Sequence, residues 1–131
     1  MIFVDSNIPM YLVGAAHPYK ADTQRLLEKF AGERGRLVTD AEVLQEILHR
    51  YAALNRKDMI QPAFDALLSL VDEVIAIDLA AAERAKEIVL GHARMSARDA
   101  IHLAVMEKHG VARIFSFDAG FDGYPGITRI H

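Results

Sequence analysis

Four acidic positions, far apart in the chain, have the residue types and settings of a metal site. Each follows a short apolar run or lies on a helical segment: Asp5, Asp118, Asp99, and either Glu42 or Glu46. Carboxylates brought close together repel one another and raise each other's pKa values, so such a cluster persists mainly around a cation. Because every donor is an oxygen, the expected ion is Mg²⁺ or Mn²⁺. The sequence therefore predicts a metal-binding acidic cleft, in which the ion could activate a water molecule.

Each aspartate also has a purely structural explanation. Ser96 and Asp99 have the spacing S-x-x-D, which is close to a capping box, so Asp99 could serve only to start a helix. Asp5, in "DSN", could be a turn residue whose polar neighbours cap the next helix, and Asp118, in "DAG", could be a turn acid. Capping and metal binding are compatible roles, and the sequence leaves both open.

The two glutamates differ in their local settings. Glu42 stands three residues after Thr39, the T-x-x-E spacing of a capping box, so it has a structural role available. Glu46 lies one turn further on, beside Val43 at the edge of an apolar stripe, where a side chain meets the rim of a cleft. Glu46 is therefore the favoured functional residue, with Glu42 as the alternative.

A few other polar residues could assist the acids. Asn7 and Ser116 each lie two positions from a candidate ligand and could orient a carboxylate or a bound water, or could be a helix cap and a strand-end residue. His102, on the Asp99 helix, is interpreted as a packed or surface histidine rather than a ligand. Basic residues within 34–36 and 50–57 could contact phosphates or could simply be solvated surface.

Short β-rich runs alternate with longer helical patterns along the chain. Strands are predicted at 2–4, 37–39, 73–77, 112–116 and 128–130, and helices near 8–15, 19–31, 41–55, 59–71, 79–92 and 97–109. Asp40, Asp58 and Asp78 are expected to cap helices, and Gly32 and Gly110 to follow them. This alternation predicts an α/β fold with parallel strands and helices on both faces of the sheet. Ligands in such folds bind beyond the carboxyl ends of the strands.

Composition limits the function classes further. The chain has 131 residues without linkers or repeats, which indicates one domain over 1–131. It contains no cysteine, which excludes disulfides, thiolate metal sites and a thiol nucleophile. The net charge of −3 gives no overall basic field for nucleic acid, although local basic patches remain possible. The start "MIFVDSN" lacks the regions of a signal peptide, and no apolar run reaches transmembrane length, so a cytoplasmic protein is expected.

Several of these segments resemble a known family. The stretches "MIFVDSN", "LVTDAEVLQEILHRY", "SARDAIHLAVMEKHGVARIFSFDAGFD" and "YPGITRI" are similar to the PIN domain, specifically to the VapC-type toxins of bacterial toxin–antitoxin pairs. The resemblance covers nearly the whole chain and is most specific over "RDAIHLAVMEKHGVARIFSFD". It implies a three-layer α/β/α domain with a central, mainly parallel five-stranded sheet. The strings "DSN" and "SFD" depart from the D-x-S or D-T-S/N start and the T-x-D end of many relatives, while keeping the polar chemistry.

The resemblance also implies a function and assigns the site residues. It implies an endoribonuclease that depends on Mg²⁺ or Mn²⁺, is usually a homodimer, and is held inactive by a cognate antitoxin. The matching acids are Asp5, Glu46, Asp99 and Asp118. Asp5 and Asp99 are expected to form the primary metal site, and Asp118 to complete it or hold metal-bound waters. Glu46 would position or deprotonate the attacking water.

Two other function classes stay open. An aspartyl phosphotransfer enzyme could use Asp5 as a nucleophile, although the D-x-D pattern of such phosphatases is absent because position 7 is Asn. A non-catalytic binding module could keep the fold and use its acids only as caps. The apolar helices 8–15, 41–55 and 59–71, with Tyr11, Met59 and Phe64 among their residues, could line a dimer or antitoxin interface or simply pack on the sheet.

Overall fold

Five short strands form one parallel sheet in the computed structural model, which describes residues 1–131. The strands are β1 (Ile2–Val4), β2 (Leu37–Asp40), β3 (Glu73–Ile75), β4 (Arg113–Phe115) and β5 (Thr128–Ile130). Their order across the sheet is β3-β2-β1-β4-β5, and every neighbouring pair is parallel. The predicted α/β fold with a parallel sheet is confirmed, and all five strands lie where the sequence placed them, with β3 ending two residues early.

Six helices connect these strands. They are α1 (Asn7–Val13), α2 (Pro18–Gly32), α3 (Ala41–Ala53), α4 (Ile60–Leu70), α5 (Leu79–Gly91) and α6 (Ala97–His109), with short 3₁₀ turns at Lys57–Met59 and Ala119–Phe121. All six predicted helices are present, and their ends differ from prediction by at most two residues. No helix is both long enough and apolar enough to span a membrane.

The helices cover both faces of the sheet. The chain winds outward in one direction from β1 to β2 to β3, and then returns across the sheet to β4. Right-handed crossovers place the helices of these two paths on opposite faces. The contacts agree, because α1 packs on α2 and α4, and α3 on α4, whereas α5 packs mainly on α6. The reversal lies between β1 and β4, so the carboxyl ends of these two strands mark the expected ligand crevice.

The central strands and α6 supply much of the core. Every residue of β1 is buried, as are Ile114 and Phe115 of β4, which fits a central parallel strand covered on both faces. On α6 six residues between Ala100 and Met106 are buried, among them His102, a polar side chain in a largely apolar layer. A rigid core directly beneath the carboxyl ends of β1 and β4 fixes the positions of the residues that follow them.

Most predicted helix ends are confirmed, with two exceptions. Asp40 and Asp78 cap α3 and α5 by accepting hydrogen bonds from backbone N–H groups three residues on, and Gly110 ends α6 with a φ of 68°. Asp58 is not a cap: it lies inside a 3₁₀ turn and pairs with the guanidinium of Arg56. Gly32 is the last residue of α2 rather than the residue after it.

Candidate metal centre

The structure brings the four predicted acids to one cleft. Asp5 follows β1, Asp118 follows β4, Glu46 lies on α3 and Asp99 lies in the first turn of α6. All four line a cleft of about 420 Å³ at the carboxyl ends of the central strands. Residues up to 113 positions apart in sequence therefore meet at the crevice where the direction of winding reverses.

Asp5 is the most buried of these aspartates, and its neighbours hold it firmly. Its Oδ1 accepts a hydrogen bond from the Ser6 N–H at 2.7 Å, and its Oδ2 accepts one from the Ser116 hydroxyl at 2.6 Å. The Asn7 amide lies 3.5 Å from the same Oδ2 and donates to the Ser116 hydroxyl at 3.2 Å. Burial raises the pKa of Asp5, while the nearby His102 and the Ser116 hydrogen bond oppose that rise. Asn7 and Ser116 thus contact the carboxylate that the sequence suggested they could orient.

Gly120 lies close to the carboxylates of both Asp99 and Asp118. Burial, together with the charges of Asp118 and Asp5, raises the pKa of Asp99 to about 6. A Cβ at Gly120 would lie 3.1 Å from Asp118 Oδ1 and 3.3 Å from Asp99 Oδ2, so the glycine leaves room between these two oxygens. Ser96 caps α6 by accepting from the Asp99 backbone N–H at 3.1 Å, so the cap uses the backbone of Asp99. The side chain of Asp99 is left to face the cleft.

Glu46, and not Glu42, lines the cleft. Its Oε2 accepts a hydrogen bond from the Ser6 hydroxyl at 2.7 Å, and its Oε1 lies 2.6 Å from His102 Nε2. Burial opposes ionisation of Glu46, but the contacts with His102 and Ser6 outweigh it and lower its pKa. The capping box that assigned Glu42 a structural role is wrong, because Thr39 donates its hydroxyl hydrogen bond to the Val4 carbonyl.

His102 is packed, as the sequence suggested, but its two carboxylate partners were not foreseen. It is completely buried, with Nδ1 2.8 Å from Asp40 Oδ2 and Nε2 2.6 Å from Glu46 Oε1. Burial alone would lower its pKa, but the adjacent Asp40 and Glu46 raise it well above the ordinary value. Part of this result follows from the sequence: Asp99 and His102 are three residues apart on one helix, so they share a face, which indicates that His102 lies near the predicted site.

This geometry makes His102 a counter-cation rather than a metal ligand. Ligand atoms of Asp5, Glu46 and His102 all lie within 4.8 Å of one another, which is compatible in distance with a bound ion. However, each ring nitrogen of His102 is at hydrogen-bond distance from a carboxylate, and only the imidazolium can donate at both positions. A doubly protonated ring has no lone pair to offer a metal. The remaining carboxylates of the cleft, which could hold an ion, are those of Asp5, Asp99 and Asp118.

Comparison with known proteins agrees with the fold and identifies the family. A family model described as the PIN domain matches residues 2–127. The ribonuclease VapC13 of Mycobacterium tuberculosis is 59% identical over 130 residues, which cover 99% of each chain. The crystal structure of M. tuberculosis VapC20, a Sarcin–Ricin loop cleaving toxin, matches with a TM-score of 0.74 and 26% identity, covering 97% of this chain and 98% of that one. A toxin–antitoxin complex from Klebsiella pneumoniae shares the fold, with a TM-score of 0.69 and 19% identity over 98% and 96% of the two chains. The chain therefore belongs to the PIN-domain family and, within it, to the VapC ribonucleases.

Proposed function

We propose that this protein is a metal-dependent endoribonuclease that hydrolyses RNA phosphodiester bonds in the cytoplasm as the toxin of a toxin–antitoxin pair. The observation that carries the proposal is the convergence of four carboxylates on one cleft, with the pKa of Asp99 raised to about 6. Such a cluster destabilises the protein unless a cation neutralises it. The 59% identity to a named ribonuclease, VapC13, supports RNA as the substrate.

The residues present fit a hard divalent ion. Asp5, Asp99 and Asp118 would hold it, and an all-oxygen set suits Mg²⁺, with Mn²⁺ as the alternative. When bound, the ion would lower the pKa of a water ligand and offset negative charge on the phosphate. The space beside Gly120 supports this assignment, since it keeps the Asp99 and Asp118 oxygens uncrowded. Ser116 links two of the proposed ligands, because its hydroxyl donates a hydrogen bond to Asp5 and accepts one from the Asp118 N–H at 3.0 Å.

Glu46 is assigned the positioning of the attacking water. Its lowered pKa keeps it ionised near neutral pH but makes it a weak base. Both of its oxygens already accept hydrogen bonds, one from Ser6 and one from His102, so its orientation in the cleft is constrained. A carboxylate held in this way can accept a hydrogen bond from the attacking water. It thereby orients the lone pair of that water without having to remove the water's proton fully.

The aspartyl phosphotransfer alternative fits the geometry less well. A nucleophilic carboxylate needs a free oxygen directed at the substrate. Both oxygens of Asp5 accept short hydrogen bonds, from Ser6 and Ser116, and the side chain is almost fully buried. These contacts support a fixed ligand rather than an attacking group.

Cleavage of RNA in the presence of Mg²⁺ tests the proposal directly. Purified protein incubated with total RNA should release discrete fragments in Mg²⁺ or Mn²⁺ and none in EDTA, and adding excess Mg²⁺ back should restore cleavage. Mapping the fragment ends would identify the RNA cut and the position of the cut. The proposal is wrong if the same fragments form at the same rate in EDTA.

A pair of glycine variants separates an effect on the metal site from a general loss of stability. In Gly120→Ala the new methyl group would force the Asp99 or Asp118 carboxylate to move by a few tenths of an ångström. Such a shift exceeds the tolerance of Mg²⁺ coordination, so we expect cleavage at limiting Mg²⁺ to fall about tenfold. Gly91→Ala is the matched control, because its Cβ would meet nothing within 4 Å. Equal activity of the two variants would argue against metal binding between these oxygens.

We further propose an antitoxin partner and a homodimer. Leu48 of α3, Leu54 directly after α3 and Leu68 of α4 are exposed, which supports an interface on these two helices. Met59 and Phe64, which the sequence also suggested for an interface, pack partly against the core. Light scattering of the isolated chain should give twice the monomer mass of 14.6 kDa, and a monomer at micromolar concentration would contradict the dimer.

A further inference from the structure

Four aromatic side chains form one wall beside the acidic cleft. This aromatic wall consists of Tyr11 on α1, His17 and Tyr19 at the start of α2, and Phe117 after β4. Tyr19 and Phe117 are stacked, with ring centroids 4.2 Å apart and an interplanar angle of 3°. Tyr11 meets both rings edge-on, at 5.3 and 5.5 Å, and His17 lies 5.0 Å from both tyrosines.

The aromatic wall is attached directly to the residues that would hold the metal. Phe117 stands between Ser116, which contacts Asp5, and Asp118. Its backbone N–H donates to Asn7 Oδ1 at 3.3 Å, and the Asn7 amide in turn contacts Ser116. Three of the four rings line the same cleft as the acids: Tyr11, Tyr19 and Phe117. A ligand phosphate at the carboxylates would therefore lie beside these rings.

Core packing alone does not account for the aromatic wall. Tyr19 leaves 39% of its surface exposed, and His17 is also exposed, although both belong to a stacked cluster. Aromatic rings that serve only to pack are driven out of water, because each buries a large apolar area. An ordered and partly exposed stack at the mouth of a polar cleft offers ring surface to a flat ligand.

The cleft also contains a cation suited to a second phosphate. Arg50 lies one helical turn after Glu46 on α3 and lines the same cleft. It takes part in no ion pair within the chain, so its guanidinium is available. Guanidinium groups bind phosphate oxygens through paired hydrogen bonds. One cleft of about 420 Å³ therefore offers carboxylates for a metal, rings for a base and a cation for the backbone.

We propose that Tyr11, His17, Tyr19 and Phe117 form a stacking subsite for the base of a nucleotide next to the phosphate that is cleaved. Stacking on aromatic rings is how proteins hold unpaired bases, and it requires that the base be splayed out of any helix. This inference rests on the proposed ribonuclease function and adds to it the residues that bind a base of the substrate. Tyr19, as the most exposed ring of the stacked pair, is the residue whose loss should matter most.

Binding of two small probes tests the subsite without relying on cleavage. Adenosine 5′-monophosphate and ribose 5-phosphate share a phosphate and a sugar, but only the first carries a base. In the presence of Mg²⁺, NMR titration of the whole chain should give about tenfold tighter binding of the adenosine compound. Tyr19→Ala should remove this preference, whereas Tyr19→Phe, which keeps the ring, should retain it. Tyr124→Ala is the control, because Tyr124 lies beside His92 in a different groove.

The possible outcomes separate this inference from the proposed function. Equal binding of the two probes to the unmodified protein, or an unchanged preference in Tyr19→Ala, would overturn the subsite even if RNA were cleaved. Preferential binding of N-acetylphenylalaninamide over the nucleotide would also overturn it and would identify the rings as a protein contact. Conversely, a base preference in a protein that cleaves no RNA would leave the subsite standing and refute the nuclease.

Discussion

Replacing Asp99 with asparagine is expected to abolish RNA cleavage and, at the same time, to stabilise the metal-free protein. The change keeps the shape of the side chain and the backbone N–H that Ser96 caps, so α6 should still begin at the same residue. It removes the carboxylate whose pKa is raised to about 6 by burial and by the charges of Asp118 and Asp5. Loss of a proposed metal ligand should lower the rate of cleavage by more than about 100-fold.

The gain in stability follows from the direction of the pKa shift. A carboxyl group whose pKa is higher in the folded state than in the unfolded state destabilises the fold at any pH where it is ionised. A rise from the ordinary value near 3.9 to about 6 corresponds to an upper limit of about 3 kcal/mol at pH 7. Asp99 is partly exposed, and solvent screening reduces this figure to about 1 kcal/mol. In a domain of this size, that is a rise of about 3–5 °C in melting temperature.

Thermal unfolding with and without Mg²⁺ measures both effects in one experiment. Mg²⁺ at ten times its dissociation constant should stabilise the unmodified protein by about 1.4 kcal/mol, and should stabilise Asp99→Asn little or not at all. The difference in melting temperature between Asp99→Asn and the unmodified protein should therefore shrink, or change sign, as Mg²⁺ is added. A binding module that uses its acids only as caps would show no such response to Mg²⁺ in either form.

Glu83→Gln provides a control for the loss of one negative charge. Glu83 is exposed on α5, outside the cleft, so its replacement should change neither cleavage nor the Mg²⁺ response. If Asp99→Asn cleaved RNA at nearly the unmodified rate, the proposed metal site would be wrong. If Asp99→Asn were less stable than the unmodified protein in the absence of metal, the claim that the ionised Asp99 destabilises the metal-free protein would be wrong.

The fold could be predicted from local pattern, because its elements are short and strongly periodic. The apolar runs at β1 and β4 end at the polar residues Asp5 and Ser116, and α3 has apolar residues at helical spacing over three turns. The convergence of Asp5 and Asp118 also follows from the sequence, because parallel strands that are neighbours end at the same edge. Topology alone therefore predicts where two of the four acids meet.

The contacts between side chains could not be predicted in the same way. Thr39 and Glu42 have the spacing of a capping box, yet the Thr39 hydroxyl bonds to the Val4 carbonyl across the sheet. The pairing of His102 with Asp40 and Glu46 joins residues 62 and 56 positions apart, and no local spacing specifies it. Such buried polar contacts depend on how α3 and α6 pack, which one sequence does not determine.

Replacing His102 with glutamine is expected to destabilise the protein more than any change at the exposed surface. The imidazolium is fully buried between Asp40 and Glu46, at 2.8 and 2.6 Å. A neutral amide leaves two buried carboxylates without a counter-cation, and breaking a buried ion pair in this way costs about 3–5 kcal/mol. This is a large part of the 5–15 kcal/mol by which a typical domain is stable. Chemical denaturation at pH 7 measures the loss.

The pH dependence distinguishes lost charge from lost packing. The pKa of His102 is raised in the folded protein, so its stabilising contribution is fully present below its ordinary value near 6.5 and is lost as the pH rises through the folded value. The difference in unfolding free energy between the two proteins should therefore be largest below pH 6.5 and shrink at alkaline pH. The raised pKa values of Asp5 and Asp99 also reduce stability as the pH rises. Burial, the first cause of both shifts, is common to the two proteins, whereas the opposing charge of His102 is lost in the variant.

A double-mutant cycle with Asp40→Asn assigns the loss to this pair. An asparagine at position 40 can still accept the hydrogen bond from the Val43 N–H, so the cap of α3 survives while the charge is removed. If His102 acts as the counter-cation, the double variant should be more stable than the sum of the two single changes predicts, by more than about 1 kcal/mol. Strictly additive effects, with a difference that does not change with pH, would mean that His102 only fills space.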